Sequence, residues 1–203
     1  MNAKRFQLLM VFFVVFPAIT IGVLAATGSF KVHDLRVYGE IPEFELKGSN
    51  GKLITKEDLL GKVWVSTFVF THCTGQCPLI VFEAQRIQKA LHLKENFRML
   101  SISVDPERDT PDELAAYAKK VGADPYKWFF ATGSKEDIQA FIQNGFRLTA
   151  MDDGGDAGQD ILHSSKVVLV DHRGKIRGYY DANESAEMRA IIKDAKTLLR
   201  QVY

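Results

Sequence analysis

Cys73 and Cys77 are the only cysteines in this chain of 203 residues, and they lie four positions apart in Thr71-His72-Cys73-Thr74-Gly75-Gln76-Cys77-Pro78. The thiolate form of cysteine is the nucleophile and the metal ligand. Two thiolates within one turn of chain can therefore close a disulfide or hold a soft metal ion. The run Val-Trp-Val-Ser-Thr-Phe-Val-Phe ends at Phe70, just before the pair, and Pro78 suits the first position of a helix. The cysteines are thus expected between a buried strand and a helix N-terminus, where free N–H groups and the helix dipole favour negative charge and lower a thiol pKa. Their Gly and Pro neighbours mark a loop, not an apolar stripe, which argues against cysteines that only pack.

A zinc site wants four protein ligands, or three plus water, and there is no second cysteine pair. Cu(I) accepts two thiolates and one further ligand, and soft sulfur selects it; Cu(II) is compatible with a Cys-Cys-His set. The chain offers five histidines, His33, His72, His92, His163 and His172. His33 lies in the segment after an apolar N-terminal run. His72 adjoins Cys73, but adjacent side chains of an extended segment point opposite ways. His92 ends a helix, where a cation suits the dipole. His172 sits in a hairpin turn at the far end of its strand. His163 starts a strand after a loop of small and polar residues, 152–160, that is expected to be mobile. If its strand belongs to a parallel set, the loops at one sheet end gather near the cysteines, and His163 is the candidate third ligand.

Around these residues the pattern alternates strands with helices. Phe44 and Leu46 alternate with Glu43 and Glu45 as a half-exposed strand, and Gly48-Ser49-Asn50-Gly51 is a turn. Thr55 caps a short helix. Residues 62–70 read as a central strand buried on both faces. Ile80, Ala84, Ile87 and Leu91 continue the helix after Pro78, and 97–104 is a second buried strand. Thr110-Pro111-Asp112-Glu113 is a capping box with proline at N1, opening a helix that runs to about Val121. A short strand over 128–131, a helix capped by Ser134 and ending near Gly145, a hairpin of 166–170 with 175–180, and a final amphipathic helix through Met188, Ile191, Ala195, Leu198 and Val202 complete the chain. Asp105-Pro106-Glu107-Arg108-Asp109 reads as a strand-to-helix loop capped by Thr110, with charges that could also dock a partner. The expected fold is α/β, a mixed central sheet flanked by helices in thioredoxin-like order. The last proline is Pro125, so the cis-proline loop that faces the cysteines of a thioredoxin is built differently here; His163 falls in its place.

Residues 8–26 carry no charge and are rich in Leu, Val, Phe and Ile, with Lys4 and Arg5 before them. That length suits one membrane-spanning helix with the N-terminus inside and the remainder exported; a cleaved signal peptide with a weak site near Ala25 is the other reading. Residues 1–29 are expected to be the cytoplasmic stub and anchor, or signal, and residues 30–203 one exported domain. The expected address is the inner (cytoplasmic) membrane, single-pass, with the globular domain on the periplasmic side. The chain holds 26 Lys plus Arg against 25 Asp plus Glu, a balance that argues against nucleic-acid binding. Composition excludes a disordered tail, a collagen-like fibre and a multi-pass membrane protein.

Three segments in order, Phe-Thr-His-Cys73-x-x-x-Cys77-Pro78, then Ser101-Ile102-Ser103-Val104-Asp105-Pro106-Glu107-Arg108-Asp109-Thr110-Pro111, then His163-Ser164 followed by a Val-Asp-x-x-Gly hairpin, resemble the Sco/SenC family over roughly residues 40–203. The resemblance implies a membrane-tethered thioredoxin-like domain that binds copper, Cu(I) or Cu(II), through Cys73, Cys77 and His163. It implies a role in assembling the binuclear copper centre of cytochrome c oxidase, with a copper-accepting oxidase subunit or another copper chaperone as partner. Members often read Cys-Pro-Asp-x-Cys-Pro, where this chain has Thr74-Gly75-Gln76 between its cysteines. An acidic residue often precedes the family histidine, where this chain has Leu162, with Asp160 two positions further back. The competing function is a metal-independent thiol-disulfide oxidoreductase in which Cys73 and Cys77 are catalytic. A peroxidase is disfavoured, because no arginine lies within the cysteine loop.

Overall fold

A computed structural model describes residues 35–72, 77–148 and 165–202, with Cys77 described by its backbone alone. They belong to a compact unit, Leu35–Tyr203. The apolar run of residues 8–26, the loop 152–160, Cys73 and His163 lie outside the described residues. Among the described residues, no helix is long and apolar enough to cross a membrane.

The elements follow in the order β1 (Gly39–Glu40), β2 (Glu45–Gly48), β3 (Leu53–Thr55), α1 (Lys56–Leu59), β4 (Val63–Val69), α2 (Cys77–Leu91), β5 (Phe97–Ser103), α3 (Pro111–Lys120), β6 (Trp128–Thr132), α4 (Lys135–Ala140), a π-helical turn (Phe141–Gly145), β7 (Lys166–Val170), β8 (Lys175–Asp181) and α5 (Ser185–Leu199). The strands form one sheet in the order β1-β8-β7-β4-β5-β6-β2-β3. β4, β5 and β6 run parallel. β7 is antiparallel to β4, and β8, β1, β2 and β3 extend the sheet by antiparallel pairing.

β4 is central because both of its faces are covered. Val63, Val65 and Val69 point into a core made with α2, α3 and α5, through Ile80, Ile87, Leu91, Leu114, Met188 and Ile191. Trp64 and Phe68 point the other way, onto Leu59 of α1 and Ile138, Phe141 and Phe146 from the α4 region. Each such aliphatic or aromatic side chain contributes about 1.5–3 kcal/mol on leaving water. α5 is fastened to β8 by the Tyr180 hydroxyl, which donates to Asp194 at 2.8 Å. Burial, and then that hydrogen bond, push the Tyr180 phenol well above its ordinary pKa, so it remains a donor.

This is the expected mixed sheet with helices on both faces. Besides the direction of β7, three features differ from the sequence reading. Leu53–Thr55 is a strand paired on β2, not only the lead into α1. Gly39–Glu40 adds an edge strand on β8. The helix begun at Ser134 closes as a π turn.

Candidate metal centre

Strand direction decides where the chemistry gathers. β4, β5 and β6 all end at one end of the sheet, and α2, α3 and α4 start there. The start of β7 lies at that end too, because β7 runs against β4 with Trp64 opposite Val170 and Ser66 opposite Val168. The sequence reading placed His163 at this end through a parallel strand. The strand is antiparallel, and its reversed direction is what brings its first residues to the end where β4 stops. β4 leads through Thr71 and His72 toward Cys73; Ser165 is the first described residue after His163; Cys77 is the first residue of α2.

Both approaches to the site are clamped by a carboxylate. On the β4 side the clamp is Asp109, which is fully buried. Its Oδ1 accepts the Thr71 hydroxyl at 2.6 Å, its Oδ2 accepts the Ser103 hydroxyl at 2.6 Å, and the Thr71 N–H donates to both oxygens at 3.2 Å. A buried carboxylate is tolerated only with its lone pairs filled in this way. Ser103 ends β5 and also accepts the Asp105 N–H at 3.1 Å, so loop 105–109 ties β5 to the residues just before Cys73. On the β7 side the clamp is Asp181. It accepts the Ser165 hydroxyl at 2.5 Å and the Asn183 N–H at 2.9 Å, with Lys166 Nζ at 3.5 Å. Partial burial alone would raise the pKa of Asp181; these hydrogen bonds and Lys166 outweigh it and hold the group below its ordinary value.

The helix N-termini are not alike. α1, α3, α4 and α5 each carry at least one acidic residue in their first turn, whereas α2 carries none. The positive end of the α2 dipole is thus left without a carboxylate from its own first turn, which suits a thiolate. Pro78, Leu79 and Phe82 are exposed on the same stretch.

His92 and His172 sit as the sequence reading expected, whereas Thr71 and His72 form a turn and not the extended segment on which the reading of His72 rested. His92 is exposed past the end of α2, with Nδ1 at 2.8 Å from the Lys89 carbonyl. His172 lies in the β7–β8 turn at the opposite sheet end, with Nε2 accepting from Arg173. His72 is exposed, with Nδ1 at 2.9 Å from the Thr71 hydroxyl. His33 lies outside the described residues. Among the described residues no three His, Cys, Asp or Glu side chains group as a metal site. In loop 105–109 Arg108 faces Asp105 at 3.6 Å, and Glu107 faces Lys135 at 3.4 Å. Sequence reasoning took this loop as a connection; it did not single out Asp109 as the anchor of the cysteine loop, nor Asp181 as that of β7.

Comparison with known proteins falls on this whole frame. The family model described as SCO1/SenC matches residues 36–200. The chain belongs to the SCO1/SenC family. A SCO1 protein homolog of Bacillus subtilis is 31% identical over 176 residues, spanning 86% of this chain and 90% of that protein. A solved structure of BsSco, described as a member of the Sco family of cytochrome c oxidase assembly proteins with a disulfide switch, is 30% identical with a TM-score of 0.69, covering 82% of this chain and 96% of that one. Bradyrhizobium japonicum ScoI, solved with copper bound, is 25% identical with a TM-score of 0.59, covering 78% of this chain and 99% of that one. The thioredoxin-like α/β fold of the family is the fold described above, from β1 through α5.

Proposed function

We propose that this protein is a membrane-tethered copper chaperone that binds copper through Cys73, Cys77 and His163 and hands it to the binuclear copper centre of cytochrome c oxidase. The observation that carries the reading is the antiparallel β4–β7 register. It sets the strand that leads toward Cys73 and the strand that follows His163 at one sheet end, where α2 starts at Cys77. Two thiolates and an imidazole form a donor set that selects copper and leaves a side open to an incoming ligand, as transfer by ligand exchange requires. The relatives support it: one is solved with copper and another is an oxidase assembly protein. The partner is a copper-accepting oxidase subunit or another copper chaperone. The uncharged run of residues 8–26 tethers the domain to the inner membrane with its globular part on the periplasmic side.

The test is the copper content and affinity of the reduced protein beside His163→Ala. One copper per chain, bound tightly and weakened by the substitution, is expected. Equal binding by both proteins overturns the ligand set. The first turn of α2, without an acidic residue, also supports a second reading, a thiol-disulfide oxidoreductase that works through the Cys73/Cys77 pair without metal. On that reading His163→Ala leaves reduction of a protein disulfide intact while either cysteine substitution abolishes it.

A further inference from the structure

The end of the sheet away from the cysteines has its own character. α2 and α5 both finish there, and their last turns enclose a shallow cleft of about 670 Å³. Its lining includes His92, Lys94, Lys196 and Arg200, with Glu95 as the acidic member. Lys94, Lys196 and Arg200 are exposed and make no ion pair among the described residues. Leu93, in the same lining, is 80% exposed. Exposed cations without ion-pair partners, beside an exposed apolar side chain, match an anionic interface with an acyl layer beneath it.

The path of the chain points the same way. Leu35 is the first described residue, and its carbonyl accepts from Arg177 near the start of β8. That start lies at the same sheet end as the cleft: Ile176 pairs with Val170, Val170 with Trp64, and the Val63 N–H donates to Asn96, three residues after Leu93. Eight residues separate Leu35 from the end of the uncharged run at Ala26. Fully extended they reach about 29 Å at most.

We infer that the end of the domain carrying Leu93, Lys94, Lys196 and Arg200 docks on the surface of an anionic phospholipid bilayer. The inference rests on the membrane tether proposed above for its geometry, and adds a contact which that tether does not require. α2 rises from this end by about 22 Å over its 15 residues. Docking therefore holds the Cys77 end up and away from the lipid, open to a partner.

The test is hydrogen exchange on the full chain in phosphatidylcholine vesicles and in vesicles of mixed phosphatidylcholine and phosphatidylglycerol, beside the variant K94E/K196E/R200E. An alkaline wash of the same samples reports the tether independently, and copper content reports the metal site. Slower exchange over 92–95 and 196–201 in the anionic vesicles alone is expected. It should be lost at high salt and in the variant, with about fivefold weaker protection for each charge removed. That pattern supports docking whether or not the chain resists the wash. Equal exchange in the two vesicle types overturns it, even if the chain stays tethered and copper-loaded. Protection by inorganic phosphate without vesicles, or rising with protein concentration alone, overturns it in favour of a small-anion site or self-association.

Discussion

α2 and α3 start at the same end of the sheet, each after one of two neighbouring parallel strands, yet their first turns are built oppositely. α3 is closed by its own sequence. The Thr110 side chain accepts the Glu113 N–H at 3.3 Å, Pro111 removes one donor, and Asp112 and Glu113 face the dipole. α2 opens with Cys77-Pro78-Leu79-Ile80 and has no acidic residue in its first turn. First-turn charge is worth about 0.3–1 kcal/mol, so a helix that forgoes it is less stable than it could be. The difference separates a terminus whose electrostatics are spent on folding from one whose electrostatics remain available to thiolates and to what they bind. Asp109 joins the two, since it immediately precedes the α3 cap and holds Thr71 on the approach to α2.

The strongest way to break the contrast is Cys77→Ser. It should abolish stoichiometric copper binding, read as metal per chain after dialysis, while leaving the thermal midpoint of the copper-free protein nearly unchanged. A second, smaller break is Asp109→Ala. It leaves the Ser103 and Thr71 hydroxyls without their charged acceptor in a buried place, and loss of hydrogen bonds to a charged group costs about 1.5–3 kcal/mol each before relaxation. We expect urea unfolding to show about 3 kcal/mol of lost stability, with weaker copper binding because Thr71 and His72 lose their anchor. Unchanged stability would mean that Asp109 does not clamp the loop.

How far the sequence carried this picture can be read from the same residues. The Thr110 cap of α3 was legible because its parts lie within four consecutive positions; the other half of the expected capping box does not form, the Thr110 N–H donating to the Arg108 carbonyl at 3.0 Å and not to Glu113. β4 and the apolar stripe of α2 were legible because burial on both faces, or on one stripe, imposes a simple period. The Asp109–Thr71 clamp was not, because its members are 38 residues apart and nothing local in either segment names the other. β1, two residues long, exists only through its pairing with β8. The direction of β7 follows from sheet topology, which hydropathy does not report. Cys73, Cys77 and His163 were singled out from residue type and spacing, and the family resemblance implied them as a copper-binding set; the two carboxylates that hold the approaches could be recognised only once the strands were placed.

Two further substitutions sharpen the contrast from either side. Thr110→Ala removes the α3 cap and should cost about 1 kcal/mol in denaturant unfolding, with copper affinity unaltered. Leu79→Glu gives α2 the first-turn acid it lacks, at a residue 38% exposed and so able to accept it. It should stabilise the copper-free domain by about 0.3–1 kcal/mol. It should also raise the thiol pKa by less than about one unit, read from the pH dependence of alkylation. A lowered or constant thiol pKa would detach the α2 dipole from the chemistry.

The smallest expected effect lies on the β7 side, where the clamp is partly exposed. The folded-state pKa of Asp181 is held below its ordinary value of 3.8, partial burial being outweighed by the Ser165 hydroxyl, the Asn183 N–H and Lys166. A depressed carboxylate stabilises the fold above its unfolded pKa and loses that contribution as pH falls through the folded one. Ser165→Ala removes the shortest of those hydrogen bonds, at 2.5 Å. The stability gap between wild type and this variant should therefore be constant near neutral pH and narrow as pH falls below about 3.8. Equilibrium unfolding at a series of acidic pH values measures it, and the Asp181 carboxyl resonance in the variant should titrate closer to the ordinary value. Asp109 offers the contrast: it is fully buried and exchanges no ion pair with Lys or Arg among the described residues, so its clamp depends on three hydroxyl and amide donors alone. A gap that stays constant into acid would mean that Ser165 is held by the backbone bond from Ala182 to its carbonyl, and that only the β4 approach to the cysteines is fixed by a carboxylate.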